Sequence, residues 1–378
     1  MNYELRHFDT PLLRFAASEN TSSPEIEILW ENREKIFLLP LDMQPVSNTS
    51  LQKWLKRRTV PKNRAYVHNF LNKCGLSLNR PMNLIQVSKG LSLNDCYWVV
   101  EEGFTGTFDM FNLYDNRFSR TLALIAFTGY GSDIRSSLIS SPEFTTNGML
   151  PKCWRRIDGK IILFKGGTFG ASNTGNEPYS EYYAAQIAKK LGIDAVDYGL
   201  AQWKNCLCST CELFTGKQYG FIPVGHIVTS GGMDAVKAYY RQLGPMFEKA
   251  LGDMFLLDAI ICNTDRHFGN FGFLIDNETN RIVAPAPLFD HGNSLFNFAG
   301  NEGFASESAL EKYAATLYPA VYDDFTGTAK ASLTHEHREK LRSLLHFRFR
   351  RNSKHNLPAE RLAMMERVIQ KRIQMLLA

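Results

Sequence analysis

The sequence has no apolar run that approaches the roughly 18 residues a membrane-spanning helix needs. Residues 1–20 contain no charged segment followed by an apolar one, so they do not resemble a secretory leader. Internal repeats and low-complexity segments are also absent. These absences exclude the membrane-spanning, repeat and disordered classes and predict a globular, cytoplasmic protein.

Cysteine is scarce and its pattern is irregular. The chain has seven cysteines, an odd number, and four of them stand singly, which is not typical of a disulfide framework. The other three, Cys206, Cys208 and Cys211, could supply zinc ligands. No further pair follows at the spacing of a zinc finger, so a reduced hairpin without metal is predicted.

The excess of positive charge is small. A net charge of +5 and a pI of about 8.7 lie below the values usual for dedicated nucleic-acid binders, so direct nucleic-acid binding is not expected. The balance suits a polyphosphate ligand or an acidic partner. A length of 378 residues with 44% hydrophobic content is enough for two lobes or domains.

Strand signals come first along the chain and helix signals follow. Alternating apolar residues, among them Ile26, Ile28, Ile36 and Leu38, predict strands and turns over residues 1–50. A hairpin is predicted around Asp158-Gly159, and two or three strands within 195–227. A stretch rich in Gly, Ser and Thr at 128–150 predicts a linker entering a functional loop. Helices are predicted at 51–74 with a break before Pro61, at 180–191 ending at Gly192, and at 234–262, 308–317, 335–346 and 358–377.

The most informative segment is NTDRHFGN at 263–270, which follows a long apolar helix. Phosphoryl transfer needs a carboxylate that orients the acceptor hydroxyl, and hard oxygen ligands for Mg²⁺. Asp265 and Asn270 are five residues apart, the spacing of the base and the metal-binding Asn in protein kinases. Asp290, 25 residues after Asp265, supplies a second ligand. Polar turns after a buried helix are the simpler alternative, but three such residues in this order favour a phosphoryl-transfer site.

The other ionisable residues near this segment are expected to have structural roles rather than catalytic ones. His267 has no second histidine at the spacing of a zinc site, so a structural or phosphate-near role is expected. Asp253 and Asp258 are predicted on a helix face, and Asp258 is a candidate ion-pair partner of Arg266.

The motifs I-x-N-T-D-R-H-x-x-N-F-G and A-P-L-F-D-H-G resemble those of the HipA-type kinases and, more distantly, the lipid-kinase-like superfamily. The run TTNGMLPK at 145–152 resembles that family's phosphate loop, S-x-x-G-x-x-x-K. The resemblance covers residues 140–300 well. It implies that Asp265 is the catalytic base, that Asn270 and Asp290 bind Mg²⁺, and that ATP is the phosphate donor.

The proposed phosphate loop carries two threonines that could be phosphorylated, and a second glycine-rich stretch is an alternative phosphate-binding loop. The resemblance places Thr145 where the family phosphorylates a Ser, so autophosphorylation at Thr145 or its neighbour Thr146 would act as an off-switch. A stretch with four glycines, 166–175, could also cradle phosphate. The loop around Gly148 is favoured because it precedes the strand of Lys165, as a kinase glycine-rich loop does, and 166–175 would then be a lid. The phosphate-binding candidates are Thr146, Asn147, Gly148 and Lys152.

Further candidates would hold the nucleotide. Alternation along an apolar strand puts Leu163 and Lys165 on one face, where Lys165 would reach the phosphates and Leu163 the adenine. Glu181 is predicted on the core side of the next helix, paired with Lys165, or else as a cap of the helix N-terminus. Glu212 and Phe214 fall where a hinge would offer backbone groups to adenine.

The segment 1–120 carries a basic run at 53–64 together with many aromatic residues. Together they predict a surface that recognises a partner, with rings as anchors and cations for steering. The alternative is that the aromatic residues form the segment's own core and the charges keep it soluble. The residues concerned are Lys53, Trp54, Lys56, Arg57, Arg58, Lys62, Arg64, Tyr66, Tyr97, Trp98, Phe104, Phe108 and Phe111.

The predicted fold is a bilobal, protein-kinase-like α+β fold with a β-rich N-lobe, a helical C-lobe and an N-terminal extension. Its divisions are an extension for partner recognition at 1–120, the N-lobe with the phosphate loop at 121–215, and the C-lobe with the catalytic and metal-binding loops at 216–378. The predicted activity is Mg-ATP-dependent transfer to Ser or Thr of a protein substrate, with autophosphorylation.

Two alternatives stay open for the function. One is a non-catalytic nucleotide-binding regulator that acts through a DNA-binding partner, and the other is a lipid or small-molecule kinase. The resemblance implies a small DNA-binding antitoxin-like partner. Residues 1–120 do not clearly match the β-rich N-terminal subdomain that HipA-type toxins carry, which leaves the catalytic assignment unaffected.

Overall fold

A computed structural model describes residues 1–18, 22–134 and 138–378, and these residues divide into two units. Unit 1 consists of Met1–Lys165, Leu213–Ile222 and Leu274–Val283. Unit 2 consists of Gly166–Glu212, Pro223–Phe273 and Ala284–Ala378. The three functional divisions predicted from the sequence stay a prediction.

Strands and helices alternate in short groups along the chain, and the residues after β11 form only helices among the described elements. Within the described residues, no helix has both the length and the apolar character needed to cross a membrane. Antiparallel sheets combined with a helical region confirm the α+β prediction. The strands are β1 (Asn2–His7), β2 (Thr10–Ala17), β3 (Ile26–Glu31), β4 (Tyr97–Glu101), β5 (Lys152–Ile157), β6 (Lys160–Gly166), β7 (Gly199–Trp203), β8 (Cys206–Glu212), β9 (Tyr219–Pro223), β10 (Gly272–Asp276) and β11 (Arg281–Pro285). The helices are α1 (Asn48–Arg57), α2 (Val67–Cys74), α3 (Pro81–Ser88), α4 (Phe108–Phe111), α5 (Arg120–Thr128), α6 (Glu177–Leu191), α7 (Val224–Ile227), α8 (Gly232–Leu243), α9 (Pro245–Ile261), α10 (Glu307–Ala315), α11 (Phe325–Ala331), α12 (His335–Ser343) and α13 (Ala359–Leu377).

Unit 1 begins with an antiparallel sheet of order β3-β2-β1-β4. Apolar side chains alternate along its strands, so one face is buried. Leu5 and Phe15 on that face pack in one core cluster with Trp54 of α1 and Met82 of α3. Burial of such side chains supplies about 2 kcal/mol each, which holds the helices on the sheet.

The hairpin of β5 and β6 has the predicted turn. Asp158 and Gly159 have φ values of 50° and 80°, as a two-residue hairpin turn requires. The resulting register pairs Lys152 at the start of β5 with Lys165 near the end of β6. The hairpin therefore joins the phosphate-loop motif to the strand of Lys165.

Unit 2 is organised around α9, which is buried from Leu251 to Ile261. Helices α8, α11 and α13 pack against it. The predicted helix 234–262 is two helices, because Gly244 with φ 114° and then Pro245 interrupt the backbone hydrogen bonding. The predicted apolar face of α13 is confirmed as buried at Leu362, Met365, Val368, Ile369, Ile373 and Leu376.

Two local predictions were wrong. Ile36 and Leu38 lie in a 3-10 helix, Arg33–Leu38, rather than in a strand. Helix α11 was missed because its sequence, FTGTAKA, has low helix propensity, and the Asp324 carboxylate stabilises it by accepting a hydrogen bond from the Gly327 amide. Of the predicted linker at 128–150, residues 135–137 lie outside the described residues.

The basic run at 53–64 is not one exposed surface. Arg58 is only 7% exposed, forms an ion pair with Asp95 at 2.5 Å and stacks 4.1 Å from the Trp54 ring centroid. Arg64 is 4% exposed. The aromatic residues Trp54, Tyr97, Trp98 and Phe108 are buried in the core. The alternative, in which the aromatic residues form the segment's own core, is the one the structure supports.

Replacement of Arg58 should therefore destabilise the protein rather than weaken docking. We expect Arg58→Ala to lower the free energy of unfolding by about 3 kcal/mol, because the Asp95 carboxylate loses its buried partner. The exposed Lys56→Ala should change it by less than about 0.5 kcal/mol. Urea unfolding monitored by tryptophan fluorescence measures both, and equal stability of the two variants would contradict the structural role of Arg58.

Candidate active site

The loop that follows α9 carries Asp265 and Asn270. Cys262 ends the helix in the left-handed region, with φ 52°. The loop then folds on itself, because the His267 amide donates to the Asp265 carbonyl at 2.9 Å and the Asn270 side-chain Nδ2 donates to the same carbonyl at 3.0 Å. Asp265 is half-buried and Asn270 is 5% exposed. The predicted base and metal ligand therefore lie on one structured loop.

A buried ion pair fixes this loop to α9, as the sequence predicted. The Arg266 guanidinium donates to both Asp258 carboxylate oxygens, at 3.0 and 3.1 Å, and both side chains are fully buried. Burial opposes the guanidinium charge, but the adjacent Asp258 carboxylate raises the pKa of Arg266 above its ordinary value. The Asn263 amide also donates to Asp258, at 3.2 Å. Burial raises the pKa of Asp258 above its ordinary value, and the contacts with Arg266 and Asn263 oppose that rise. Both carboxylate oxygens therefore have hydrogen-bond donors.

The same guanidinium holds the segment of Asp290. Its Nη1 donates to the carbonyls of Asn270 at 3.1 Å and Phe289 at 2.5 Å. One side chain therefore contacts the main chain of one proposed metal ligand, Asn270, and of the residue before the other, Asp290. The structure brings these two parts of the sequence together within unit 2.

Asp290 itself has an unusual backbone. Its φ is 58°, in the left-handed region. Its amide donates to the Tyr198 hydroxyl at 3.1 Å, and desolvation raises the pKa of that phenol well above its ordinary value. The preceding Leu288 forms an isolated parallel bridge with Ala195. These contacts fix the start of the Asp290 turn.

Asn293 was not predicted from the sequence. Its Nδ2 donates to Asp265 Oδ2 at 3.0 Å, and its carbonyl accepts from the amide and hydroxyl of Thr264 at 3.0 and 3.2 Å. The sequence shows only that an Asn directly follows Asp290-His291-Gly292. Because Asn is also common in ordinary turns, this position alone did not indicate a functional residue.

The phosphate-loop candidates lie in unit 1. Gly148 has φ 93°, a backbone conformation that strains any residue with a side chain, so glycine is favoured there. A Cβ at this position would also displace the Lys152 amine. The hydroxyl of Thr145 donates to the Leu91 carbonyl at 2.8 Å, and that of Thr146 to the Pro142 carbonyl at 2.7 Å. Their phosphorylation, which stays a prediction, would need the loop to open.

Arg64 holds the phosphate loop, which the basic-run interpretation missed. Its guanidinium donates to the carbonyls of Glu143 at 2.6 Å and Lys152 at 2.8 Å. The Glu143 carboxylate accepts from the Trp154 amide at 3.0 Å. Burial raises the pKa of Glu143 and lowers that of Arg64. These contacts anchor both ends of the segment that contains Gly148.

The remaining nucleotide candidates are divided between the units. In unit 1, Lys165 is 7% exposed near the end of β6 and Leu163 is half-buried. The Phe214 ring makes an edge-to-face contact with Phe221, with centroids 5.6 Å apart. In unit 2, Glu181 is completely buried on α6, as predicted for its core side, and accepts a hydrogen bond from Ser209, while Glu212 is exposed. The Lys165–Glu181 pair and the adenine contacts stay predictions.

The glycine-rich stretch 166–175 has anchored ends in unit 2. Thr168 donates to the Glu177 carboxylate at the start of α6, and Asn173 Nδ2 donates to the Phe298 carbonyl at 2.9 Å. The stretch therefore packs on the segment that follows Asp290. Its predicted role as a lid stays a prediction.

The central role of Arg266 can be tested with a charge-conserving variant. We expect Arg266→Lys to lower the free energy of unfolding by about 3 kcal/mol, since an ammonium cannot bind two carboxylate oxygens and two carbonyls in the fixed fork of a guanidinium. Hydrogen exchange at the Thr264 and Asn270 amides should also become faster. The exposed Arg241→Lys is the matched control, and unchanged stability and exchange in Arg266→Lys would refute this role.

This chain is similar in sequence to a curated kinase and similar in fold to a solved toxin structure. No protein-family model matches the chain. The serine/threonine-protein kinase CtkA of Helicobacter pylori is 31% identical over 135 residues, which cover 32% of this chain and 41% of CtkA. The chain therefore matches less than half the length of this curated relative. A crystal structure of the Helicobacter pylori proinflammatory kinase CtkA aligns with a TM-score of 0.48 and 17% identity over 61% of this chain and 92% of that one.

The structure of HipA from Shewanella oneidensis, solved with HipB and operator DNA, aligns over 98% of this chain and 96% of its own, with a TM-score of 0.55 and 13% identity. The common fold thus includes residues 1–120, where the sequence showed no clear match. The sequence similarity to a serine/threonine kinase and the fold shared with HipA together confirm the resemblance to the HipA-type kinases.

Proposed function

We propose that this chain is a Mg-ATP-dependent protein kinase that phosphorylates Ser or Thr hydroxyls. The observation that carries the proposal is the Arg266 network, which joins the loop of Asp265 and Asn270 to the segment of Asp290. Positioning of this kind accounts for most of the catalysis of phosphoryl transfer, since little covalent chemistry is left to the protein. Similarity to a serine/threonine-protein kinase supports the choice of reaction.

In the proposed reaction Asp265 orients the acceptor hydroxyl and accepts its proton. The hydroxyl oxygen attacks the γ-phosphorus of ATP, the bond to the β-phosphate oxygen breaks, and ADP leaves. Lys165 holds the phosphates as a point charge, and the loop around Gly148 contributes amides and the Lys152 ammonium. Leu163, Glu212 and Phe214 are proposed on the adenine side.

The donor set fits Mg²⁺. Carboxylate and amide oxygens are its preferred ligands, and Asp290 and Asn270 supply one of each. Because Asn270 Nδ2 donates to the Asp265 carbonyl, the other side-chain atom of that amide is the oxygen, which can serve as a ligand. Bound Mg²⁺ would neutralise charge on the β- and γ-phosphates.

We also propose a small DNA-binding partner. The HipA structure with the matching fold contains HipB and operator DNA, and the likeness covers nearly the whole of both chains. The same observation favours the alternative of a regulator that acts through such a partner without catalysis. Incubation of the pure protein with labelled Mg-ATP, alone and with cell lysate, separates a kinase from this non-catalytic regulator, because only a kinase transfers label. Label on a protein band identifies a protein substrate, and lysate without the added protein corrects for its own kinases.

Isosteric replacement of the carboxylates should abolish transfer while the fold survives. We expect Asp265→Asn and Asp290→Asn each to lower the transfer rate at least about 10³-fold, equivalent to about 4 kcal/mol. Asn tolerates the positive φ of position 290, so that variant should fold. The exposed Asp234→Asn is the control, and thermal unfolding verifies the fold. Near-normal transfer by folded Asp265→Asn would exclude Asp265 as the base.

Loss of the Lys165 charge should weaken nucleotide use. We expect Lys165→Met to raise the KM for ATP at least about tenfold, or roughly 1.4 kcal/mol, through loss of a charge-assisted phosphate contact. Glu181→Gln should act in the same direction but more weakly. The exposed Lys160→Met at the start of β6 is the control. ATP titrations of transfer measure the effect, and an unchanged KM in folded Lys165→Met would rule out the phosphate contact.

A further inference from the structure

The segment that follows Asp290 returns to the catalytic loop at Asn293. The Asn293 amide donates to the Asp265 carboxylate at 3.0 Å. The Asn293 carbonyl accepts two hydrogen bonds from Thr264, the residue before Asp265. Asn293 therefore contacts both the main chain beside the proposed base and the base itself.

The position of Asn293 is itself fixed by its neighbours. Asn297, which is buried, donates from Nδ2 to the Gly292 carbonyl at 3.0 Å and contacts Asn293 Oδ1 at 3.5 Å. The Leu295 amide donates to the Ile261 carbonyl at 2.7 Å, at the end of α9. Because an ionised carboxylate can only accept, the Asn293 amide must present its nitrogen to Asp265. The orientation of the Asn293 amide is thus set by Asp265 at its nitrogen and by Asn297 at its oxygen.

A carboxylate on a loop can rotate about its Cβ–Cγ bond, and this torsion has a broad preference. A donor held at one oxygen restricts the rotation and so fixes the direction in which the carboxylate can accept a proton. Restriction of this kind lowers the barrier of the chemical step without contributing to nucleotide binding.

We propose that Asn293 is the positioning residue of the phosphoryl-transfer site, where it orients the Asp265 carboxylate toward the acceptor hydroxyl and couples it to the Asp290 segment. The proposal rests on the proposed kinase function. Asn293 acts through Asp265 and does not touch the reacting atoms. Its removal should therefore affect turnover and leave nucleotide binding intact.

The test compares three variants of the full-length protein. Asn293→Leu keeps the branched shape at Cγ but cannot donate, Asn293→Ala removes the side chain, and Asn293→His can place a ring N–H near the position of the amide. We expect kcat to fall about 10- to 100-fold in the Leu and Ala variants. The KM for ATP and the affinity for a fluorescent ATP analogue should stay within about twofold. His should recover at least part of the loss, and the exposed Asn301→Ala should match the wild type.

Each other outcome overturns the proposal. Wild-type kcat in a folded Leu or Ala variant would show that Asp265 needs no orienting donor. A parallel loss of nucleotide affinity and kcat, or failure of all three variants to fold, would show a structural role instead. A wild-type protein that binds Mg-ATP but transfers no phosphate would refute the kinase function and the role of Asn293 together, which distinguishes that failure from the others.

Discussion

The arrangement of the candidate site depends on the buried ion pair of Asp258 and Arg266. Transfer of two charges into the interior is costly, and it is offset here because the carboxylate receives both guanidinium contacts and an amide donor. The remaining guanidinium donors bind carbonyls of two loops. Because the second half of α9 is buried, the Asp258 carboxylate is held in a fixed position. Through Arg266 it also restricts the motion of the two loops that carry Asn270 and Asp290.

Several residues in the segments that this pair fixes have a strained backbone. Cys262, Asp290, Leu295 and Phe296 all have φ values between 52° and 60°, although none is glycine. Each such residue costs about 1 kcal/mol, so the surrounding hydrogen bonds must offset the strain. The contacts of Tyr198, Thr264 and Ser294 with the main chain of 290–297 provide such hydrogen bonds. Packing alone would favour relaxed turns, so their strain is consistent with a functional geometry.

Features encoded within short stretches could be predicted from the sequence. These include the Asp158-Gly159 turn, the buried face of α13, the burial of Glu181 and the pairing of Asp258 with Arg266 eight residues later. Asn293 could not be predicted, because its contact with Asp265 joins residues 28 positions apart through a loop without periodicity. Arg58 was misjudged for the same reason, since Asp95 lies 37 positions away.

The contacts of Arg64 bear on how the N-terminal segment relates to the chemistry. This residue belongs to the segment 1–120 that was predicted to select a partner, yet its guanidinium binds carbonyls on both sides of Gly148. Leu91 of the same segment accepts the Thr145 hydroxyl. If the loop binds ATP as proposed, a partner that displaced residues near Arg64 would alter the phosphate contacts without touching Asp265. Recognition by this segment and nucleotide binding would then be coupled through one buried cation.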